Sequence, residues 1–482
     1  MIKNFFKDSA VYTIGTALTR GIAIIMVPIY TRLLSTSDYG TIDLFTVIAS
    51  FINVTIALEI NQGFGRHYAE SASESDRIEY SSTAFWFIIA VYTVFFAFVF
   101  LFAAPLNHLI IGREASSSLF RIAMFSTFAG SIFIFLQNQL RWYLKSRHFA
   151  TTGIVFTFVS YATTVILMTI FGMKAEGVFM GLLAGYIVAG LLSYYYSHSN
   201  YRFSFNYSKL KQMLAFSVPL VPASVGTVIL LYIDRFAIKN LMTLGDVGVF
   251  GVSYRFAAII SLVLSGFQTA LAPLIYQNYR DENTPPELAR IFRYFLALVL
   301  SAIFGLSIFA REVLIVFTTP SYYGASAVIP MISIAALFLS MNIFAPGLQI
   351  AKKTSIIAVI NIAAAVINTA LNFTLIPHLG IIGAGLATLI SAVLSFSSYM
   401  YFSQKFFRVP HAWGKIFQVF IFVIIFTIVS FMFDNYSQIS PGIIVLKAAI
   451  LTAAIAFLFQ RLVGYGNIKN IYAVIIKSKV RS

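Results

Sequence analysis

The sequence predicts an all-α integral membrane protein, and three observations carry that expectation. Apolar runs of about 20 residues recur along the whole length, each long enough to cross a hydrocarbon core of about 30 Å. Only 10% of the residues are charged while 59% are hydrophobic, against about 25% charged in a soluble domain. The alternating pattern of about 10 residues that marks barrel strands is missing, so the runs must close their backbone hydrogen bonds internally as helices.

About fourteen spans emerge in order: 9–33, 39–64, 81–104, 117–140, 149–172, 177–198, 212–238, 246–275, 289–310, 326–350, 354–377, 380–402, 415–433 and 442–463. The first follows two lysines, as a secretory signal would. It is kept as a span because the run is too long, contains Arg20 and lacks a small-residue cleavage site. Connections are short, and the most polar, "GRHYAESASESDRIEY" and "YRDENTPPELAR", read as loops from their charge and the Pro285-Pro286 pair. With 0 cysteines, disulfides and thiolate metal sites are excluded.

Lys and Arg gather on one side of these spans. Lys3, Lys7, Arg66, Arg77, Arg141, Lys145, Arg147, Arg202, Lys209 and Lys211 begin a series that continues to the tail from Arg461 to Arg481. The other side holds little beyond Arg32, Arg113, Lys174, Lys239 and Arg311. The positive-inside rule then puts both termini in the cytoplasm, which requires an even number of spans. Most of the net charge of +16 is thus topological, with anionic headgroups as its partners. Nucleic-acid binding is not expected, because the basic residues are divided among loops rather than forming one face.

The chain carries an internal duplication. "LLSTSDYG" before the second span matches "LMTLGDVG" before the eighth, an offset of 208 from Asp246 minus Asp38. "KSRHFATTG…AEGVFMG" matches "AKKTSIIAV…IIGAGLA", an offset of 206 from Arg147 to Lys353 and from Gly177 to Gly383. Six spans per repeat preserve orientation. The expected organisation is therefore an N-terminal six-helix lobe (1–205), a parallel C-terminal six-helix lobe (206–410), and two additional helices with a basic cytoplasmic tail (411–482). Transporters built from such halves bind substrate between them near the midplane and alternate access by rocking one half against the other. The small residues Gly177, Gly181, Gly185, Gly383 and Ala387 are expected at close helix contacts.

Charges inside the spans are the candidate functional residues, since each costs about 2.5–3.5 kcal/mol near the bilayer centre on insertion scales. Arg20 and Arg255 fall near mid-span, one in each half, and neither recurs at the equivalent position of the other half, which Val228 and Val47 occupy. An arginine pair suits phosphate because the guanidinium stays ionised and donates a bidentate fork. Asp234 and Arg235 are expected to snorkel to the nearby interface within a mutual or cross-helix pair. Glu59 reads as interfacial, near Arg66. Asp43 either exchanges a proton or Na⁺ in a cavity, or pairs with Arg20 or Arg32. Asp43, Glu59 and Asp234 are the ion-coupling candidates. Pro28, Pro219, Pro222, Pro273 and Pro346 remove helix hydrogen bonds and allow bends, with spans one and seven as equivalent hinges.

At "YTRLLSTSDYGTIDLF" and "LLYIDRFAIKNLMTLGDVGVFGVSYRF", and in its six-plus-six spans with two extra, the chain resembles polysaccharide transporters of the multidrug/oligosaccharidyl-lipid/polysaccharide exporter superfamily, and more narrowly bacterial O-antigen-type flippases. The resemblance implies a V-shaped two-lobed fold in the bacterial inner membrane. It implies transfer of an undecaprenyl-diphosphate-linked oligosaccharide from the cytoplasmic to the periplasmic leaflet, with Arg20 and Arg255 on the helices that receive the diphosphate. Substrate contacts are expected from Arg20, Arg255, Arg235, Tyr254, Asn53, Gln268 and Asn342, in a cavity also lined from among Tyr12, Gln62, Gln137, Asn138, Tyr232, Asn361, Asn368 and Asn372. Amides and tyrosines suit sugars by offering donors, acceptors and aromatic faces without fixed charge. Expected partners are the lipid-linked oligosaccharide, membrane lipids and other polysaccharide assembly proteins. No cofactor is expected beyond H⁺ or Na⁺ as coupling ion.

Two rivals remain at this stage. A multidrug exporter of the same superfamily calls for acidic rather than arginine-bearing cavities. A membrane glycan polymerase or glycosyltransferase calls for a long extramembrane loop or an acid/base or metal constellation, whereas the 6 histidines are scattered without ligand spacing.

Overall fold

A computed structural model describes residues 19, 21–71, 73–112, 116–436 and 440–464. Every regular element among them is helical. Eleven helices are long and apolar enough to cross a membrane, and the number rises to thirteen when two bent pairs each count as one span. The expected fourteenth, 9–33, enters the described residues only as the helix α1, Gly21–Leu33. The chain divides into two compact units, which part between Gly251 and Val252.

The first unit follows α1 with α2 (Thr36–Thr55), α3 (Ile60–Glu70), α4 (Glu74–Leu101), α5 (Ala103–Ile110), α6 (Ser117–Trp142), α7 (Ser146–Thr169), α8 (Ala175–Ser197), α9 (Tyr207–Ser217), α10 (Val221–Leu241) and the start of α11 (Leu244–Asn278). Polar side chains begin several of these. Ser35 and Asp38 form a reciprocal capping box on α2, while the hydroxyls of Ser73 and Ser116 accept from the third backbone N–H of α4 and α6, each cap contributing about 1 kcal/mol. Two of the expected prolines coincide with interruptions of a helix: α1 is interrupted at Met26 just before Pro28, and a short 3-10 turn, Val218–Leu220, separates α9 from α10 at Pro219, whereas α11 runs unbroken through Pro273. Gly181 and Gly185 let α8 lie against α7, where any added Cβ would collide with Thr164 Oγ1 and Ser160 Oγ.

The second span departs from the unbroken 39–64 helix expected. It bends by 45° between α2 and α3, where Leu58 and Glu59 take left-handed φ of 50° and 53°. Each such non-glycine residue costs roughly 1–2 kcal/mol, and the segment contains neither proline nor glycine that would announce a break.

The second unit holds the rest of α11, then α12 (Thr284–Ile308), α13 (Ala310–Phe317), a 3-10 segment (Pro320–Ala327), α14 (Ile329–Ser340), α15 (Gly347–Ile350), α16 (Thr354–Leu379), α17 (Ile381–Phe406), α18 (Trp413–Tyr436) and α19 (Pro441–Leu462). Its centre is α12, whose Phe292, Phe295, Leu296, Leu300, Ile303 and Phe304 are all buried. The additional helices pack there: Phe426 of α18 stacks on Phe304 at 4.1 Å, and the buried Lys447 of α19 reaches Glu312 of α13 at 2.8 Å. The tenth span is broken as well, with a 48° bend after the 3-10 segment.

Candidate functional site

The duplicated motif proves to be a contact. Ser35/Asp38 and Thr243/Asp246 each form the same reciprocal cap, with Asp N–H to hydroxyl distances of 3.1 and 3.2 Å, at the starts of α2 and α11. Two residues beyond each aspartate stands a glycine, and the two glycines face each other. A Cβ on Gly40 would collide with the Leu244 carbonyl oxygen and lie 3.0 Å from Gly248 N; one on Gly248 would collide with the Thr36 carbonyl oxygen and lie 3.0 Å from Gly40 N. The contact is reciprocal because each repeat supplies the same surface, so the backbones cross with no side chain between them. "STSDYG" and "TLGDVG" carried this signal, a cap and a glycine at fixed spacing, and the sequence reading used it only to detect the repeat.

Along the same seam the equivalence ends and charge begins. Position 43 is aspartate, and its repeat equivalent, position 251, is glycine; an added Cβ on Gly251 would lie 3.0 Å from Asp43 Oδ2. The glycine makes room for the carboxylate. Arg235 of α10 donates from Nε to Asp43 Oδ2 at 3.1 Å, and from Nη1 to Asp234 Oδ1 at 2.8 Å and to the Leu231 carbonyl at 3.1 Å. Tyr232 and Phe250 present ring faces 5.4 and 5.3 Å from the guanidinium carbon. Asp234 and Arg235 are 1% and 3% exposed, so the pair does not snorkel as expected but is enclosed. The expected cross-helix partner exists, and it is Asp43, whose carboxylate pairs with Arg235; the alternative partner Arg20 lies outside the described residues. Arg235 is therefore corrected from substrate ligand to internal counter-ion, because its donors already point at two carboxylates.

The other candidates divide similarly. Asn53 accepts from the Tyr92 hydroxyl at 3.1 Å and donates to the Ala49 carbonyl at 2.8 Å. Glu59 sits half-buried at the break itself, as the N-cap residue of the helix α3 that carries Arg66, and Arg66 pairs with Glu70 at 3.2 Å. Gln137 donates to the Phe149 carbonyl at 3.3 Å, which fits a packing role. In the second unit, Tyr254 and Arg255 are half-buried on α11, Gln268 donates to the Ser340 carbonyl at 2.9 Å, and Asn342 is half-buried in the 3-10 turn Met341–Phe344 that follows α14. Asn368 and Asn372 are 0% exposed within the α16/α17 pair and are corrected from lining residues to packing ones. Arg20 and Tyr12 lie outside the described residues.

On α11, Gly248, Gly251 and Arg255 stand at i, i+3 and i+7, one helical stripe. The stripe that carries the glycine crossing thus continues into a guanidinium one turn on. Residues 5–279 match the Polysacc_synt family, described as polysaccharide biosynthesis protein. The chain belongs to this family. Relatives in the same comparison include the probable low-salt glycan biosynthesis flippase Agl15 of Haloferax volcanii, 24% identical over 51% of this chain and 52% of Agl15. The succinoglycan biosynthesis transport protein ExoT of Rhizobium meliloti is 24% identical over 69% of this chain and 66% of ExoT. The chain thus spans about half of the one relative and about two thirds of the other. Among solved structures, the lipid II flippase MurJ in an inward closed conformation superposes with a TM-score of 0.70 at 15% identity, covering 94% of this chain and 99% of MurJ. An inward-facing multidrug resistance MATE family transporter of the MOP superfamily gives 0.67 at 13% identity, covering 81% and 97%. These two likenesses establish the fold that the family member shares with them.

Proposed function

We propose that the chain is a flippase that carries an undecaprenyl-diphosphate-linked oligosaccharide of the O-antigen kind from the cytoplasmic to the periplasmic leaflet by alternating access. Arg20 and Arg255 neutralise the diphosphate, and Tyr254, Gln268, Asn342 and Asn53 contact the sugar. The observation that carries this reading is Arg255, an ion about 17 Å into an apolar helix at 1.5 Å per residue, on the stripe that begins with Gly248. Insertion of that charge costs about 2.5–3.5 kcal/mol, and a phosphate arriving within reach of a permanently ionised fork offsets it. Coupling to H⁺ or Na⁺ runs through Asp43 and Asp234, which exchange their share of Arg235 for the incoming ion, with Glu59 at the hinge of the second span. Both termini lie in the cytoplasm of the inner membrane.

Deletion of the gene in its native host, followed by analysis of lipid-linked glycans, tests the reading. An undecaprenyl-diphosphate oligosaccharide accumulating on the cytoplasmic leaflet supports it. Unchanged glycan intermediates together with hypersensitivity to cationic drugs would replace it with a multidrug exporter.

A further inference from the structure

Away from the buried ions, the first unit has an apolar groove with a cationic mouth. Between α4, α6 and α8 lies a cavity of about 330 Å³, walled by Phe85, Phe125, Phe128, Phe133, Tyr186 and Leu191. A second cavity of about 460 Å³ shares Phe85, Ile89 and Tyr194 with it and is completed by Trp86, Tyr201, Arg202 and Phe203. From Phe125 to Leu136 on α6 the trough extends about 16 Å at 1.5 Å per residue, close to one leaflet of a hydrocarbon core about 30 Å thick.

The mouth is rigidly built. Arg202 N–H donates to Ser82 Oγ at 2.8 Å, and its carbonyl accepts from Trp86 Nε1 at 3.0 Å. Asn206 N–H donates to Thr83 Oγ1 at 3.1 Å. With its backbone pinned from both sides, Arg202 keeps its side chain exposed; the guanidinium reaches the Tyr201 carbonyl at 3.4 Å and forms no ion pair among the described residues. The carboxylates of Asp76 and Glu79 pair with Lys209 instead. Around the mouth, Phe203, Phe205 and Tyr207 are 93%, 53% and 73% exposed, an aromatic fringe of the kind that settles at headgroup level.

We propose that this groove binds an anionic phospholipid of the surrounding leaflet, one acyl chain in the trough and the phosphate on Arg202. A guanidinium fork matches a phosphate bidentately. The trough's aromatic and aliphatic walls fit a chain, and the cavity at the mouth is lined by one cation with rings, while the nearby Asn206 amide and the Asp76 and Glu79 carboxylates are engaged with one another and with Lys209, which favours a phospholipid over a glycan carrier.

The full chain in nanodiscs of mixed phosphatidylethanolamine and phosphatidylglycerol, analysed by native mass spectrometry, tests this. The wild type should retain phosphatidylglycerol with an enrichment of about fivefold over the bilayer ratio, the equivalent of about 1 kcal/mol for one basic residue against an anionic headgroup. Arg202→Gln should abolish the preference, and Arg202→Lys should keep part of it. Gly190→Leu, which fills an open stretch of the trough 3.9 Å from Phe133 Cβ, should reduce retention of both lipids; Ala129→Leu serves if that variant is not monodisperse. Wild-type preference persisting in Arg202→Gln would overturn the assignment. So would displacement of the retained phosphatidylglycerol by added undecaprenyl diphosphate, which would make the carrier the occupant.

Discussion

The two ends of the first unit share one device, a glycine laid against backbone, and differ in the charges around it. At the end where α2 and α11 begin, backbone lies on backbone through Gly40 and Gly248, with the Asp43–Arg235–Asp234 cluster just beneath. At the other end, α9 also meets α3 backbone to backbone, since a Cβ on Gly63 would collide with the Met213 carbonyl oxygen, and long side chains surround that contact: Lys209 to Asp76 at 2.7 Å and to Glu79, the Tyr80 hydroxyl to Gln212 Oε1 at 2.5 Å, and a His67 ring nitrogen 3.2 Å from the Gln212 carbonyl oxygen. Close backbone packing tolerates almost no displacement, whereas long polar side chains can follow one. The comparison teaches that both ends share a glycine crossing and differ in what surrounds it: a buried ion cluster at the first, partly exposed side-chain pairs that can follow a displacement at the second.

Breaking the first end should have the largest effect. Gly248→Leu forces a side chain into the Thr36 carbonyl, and overpacking of this kind costs about 3 kcal/mol or more; thermal unfolding in detergent should show a large loss, matched by Gly40→Leu. Next comes Arg235→Ala, which strands two carboxylates and should cost about 3–5 kcal/mol, while the triple change with Asp43→Asn and Asp234→Asn should recover much of that. Gly251→Ala sharpens the same point with less violence, since its methyl would press on Asp43 Oδ2 at 3.0 Å and should lower stability without abolishing folding. At the opposite end, Lys209→Ala should lower the melting temperature least of these, because Asp76 and Glu79 are 53% and 37% exposed and regain water.

The second unit adds a pH-dependent contrast. His411, in the loop between α17 and α18, packs edge-on against Phe292 at 4.9 Å, and burial, assisted by the charge of Arg293, lowers its pKa from 6.5 to about 4. The folded state therefore holds the ring neutral, so stability is intact above pH 6.5 and is lost as pH falls toward about 4. Melting curves across that window should fall for the wild type and flatten for His411→Phe.

Much of the fold was legible because a bilayer admits so few structures: hydropathy located the helices, and repeated "STSDYG" and "TLGDVG" exposed the duplication. The interruptions at Pro28 and Pro219 were legible for the same local reason, a missing backbone donor. The break at Leu58 and Glu59 was not, since nothing in that stretch disfavours a helix and tertiary contacts must impose the left-handed turn. Nor was the burial of Arg235, because its partner Asp43 lies 192 residues away and one sequence does not reveal which acid meets which base. Asn368 and Asn372 misled for a related reason, as polar type alone does not separate a cavity wall from a helix interface.

Reconstituted transfer of a fluorescent undecaprenyl-diphosphate oligosaccharide by Arg255→Ala, with Lys209→Ala as the reference for structural damage, tests the central claim most directly. The account predicts that Arg255→Ala abolishes transfer while the protein still folds and inserts, and that Arg255→Lys restores part of the rate. Full transfer by Arg255→Ala would contradict it.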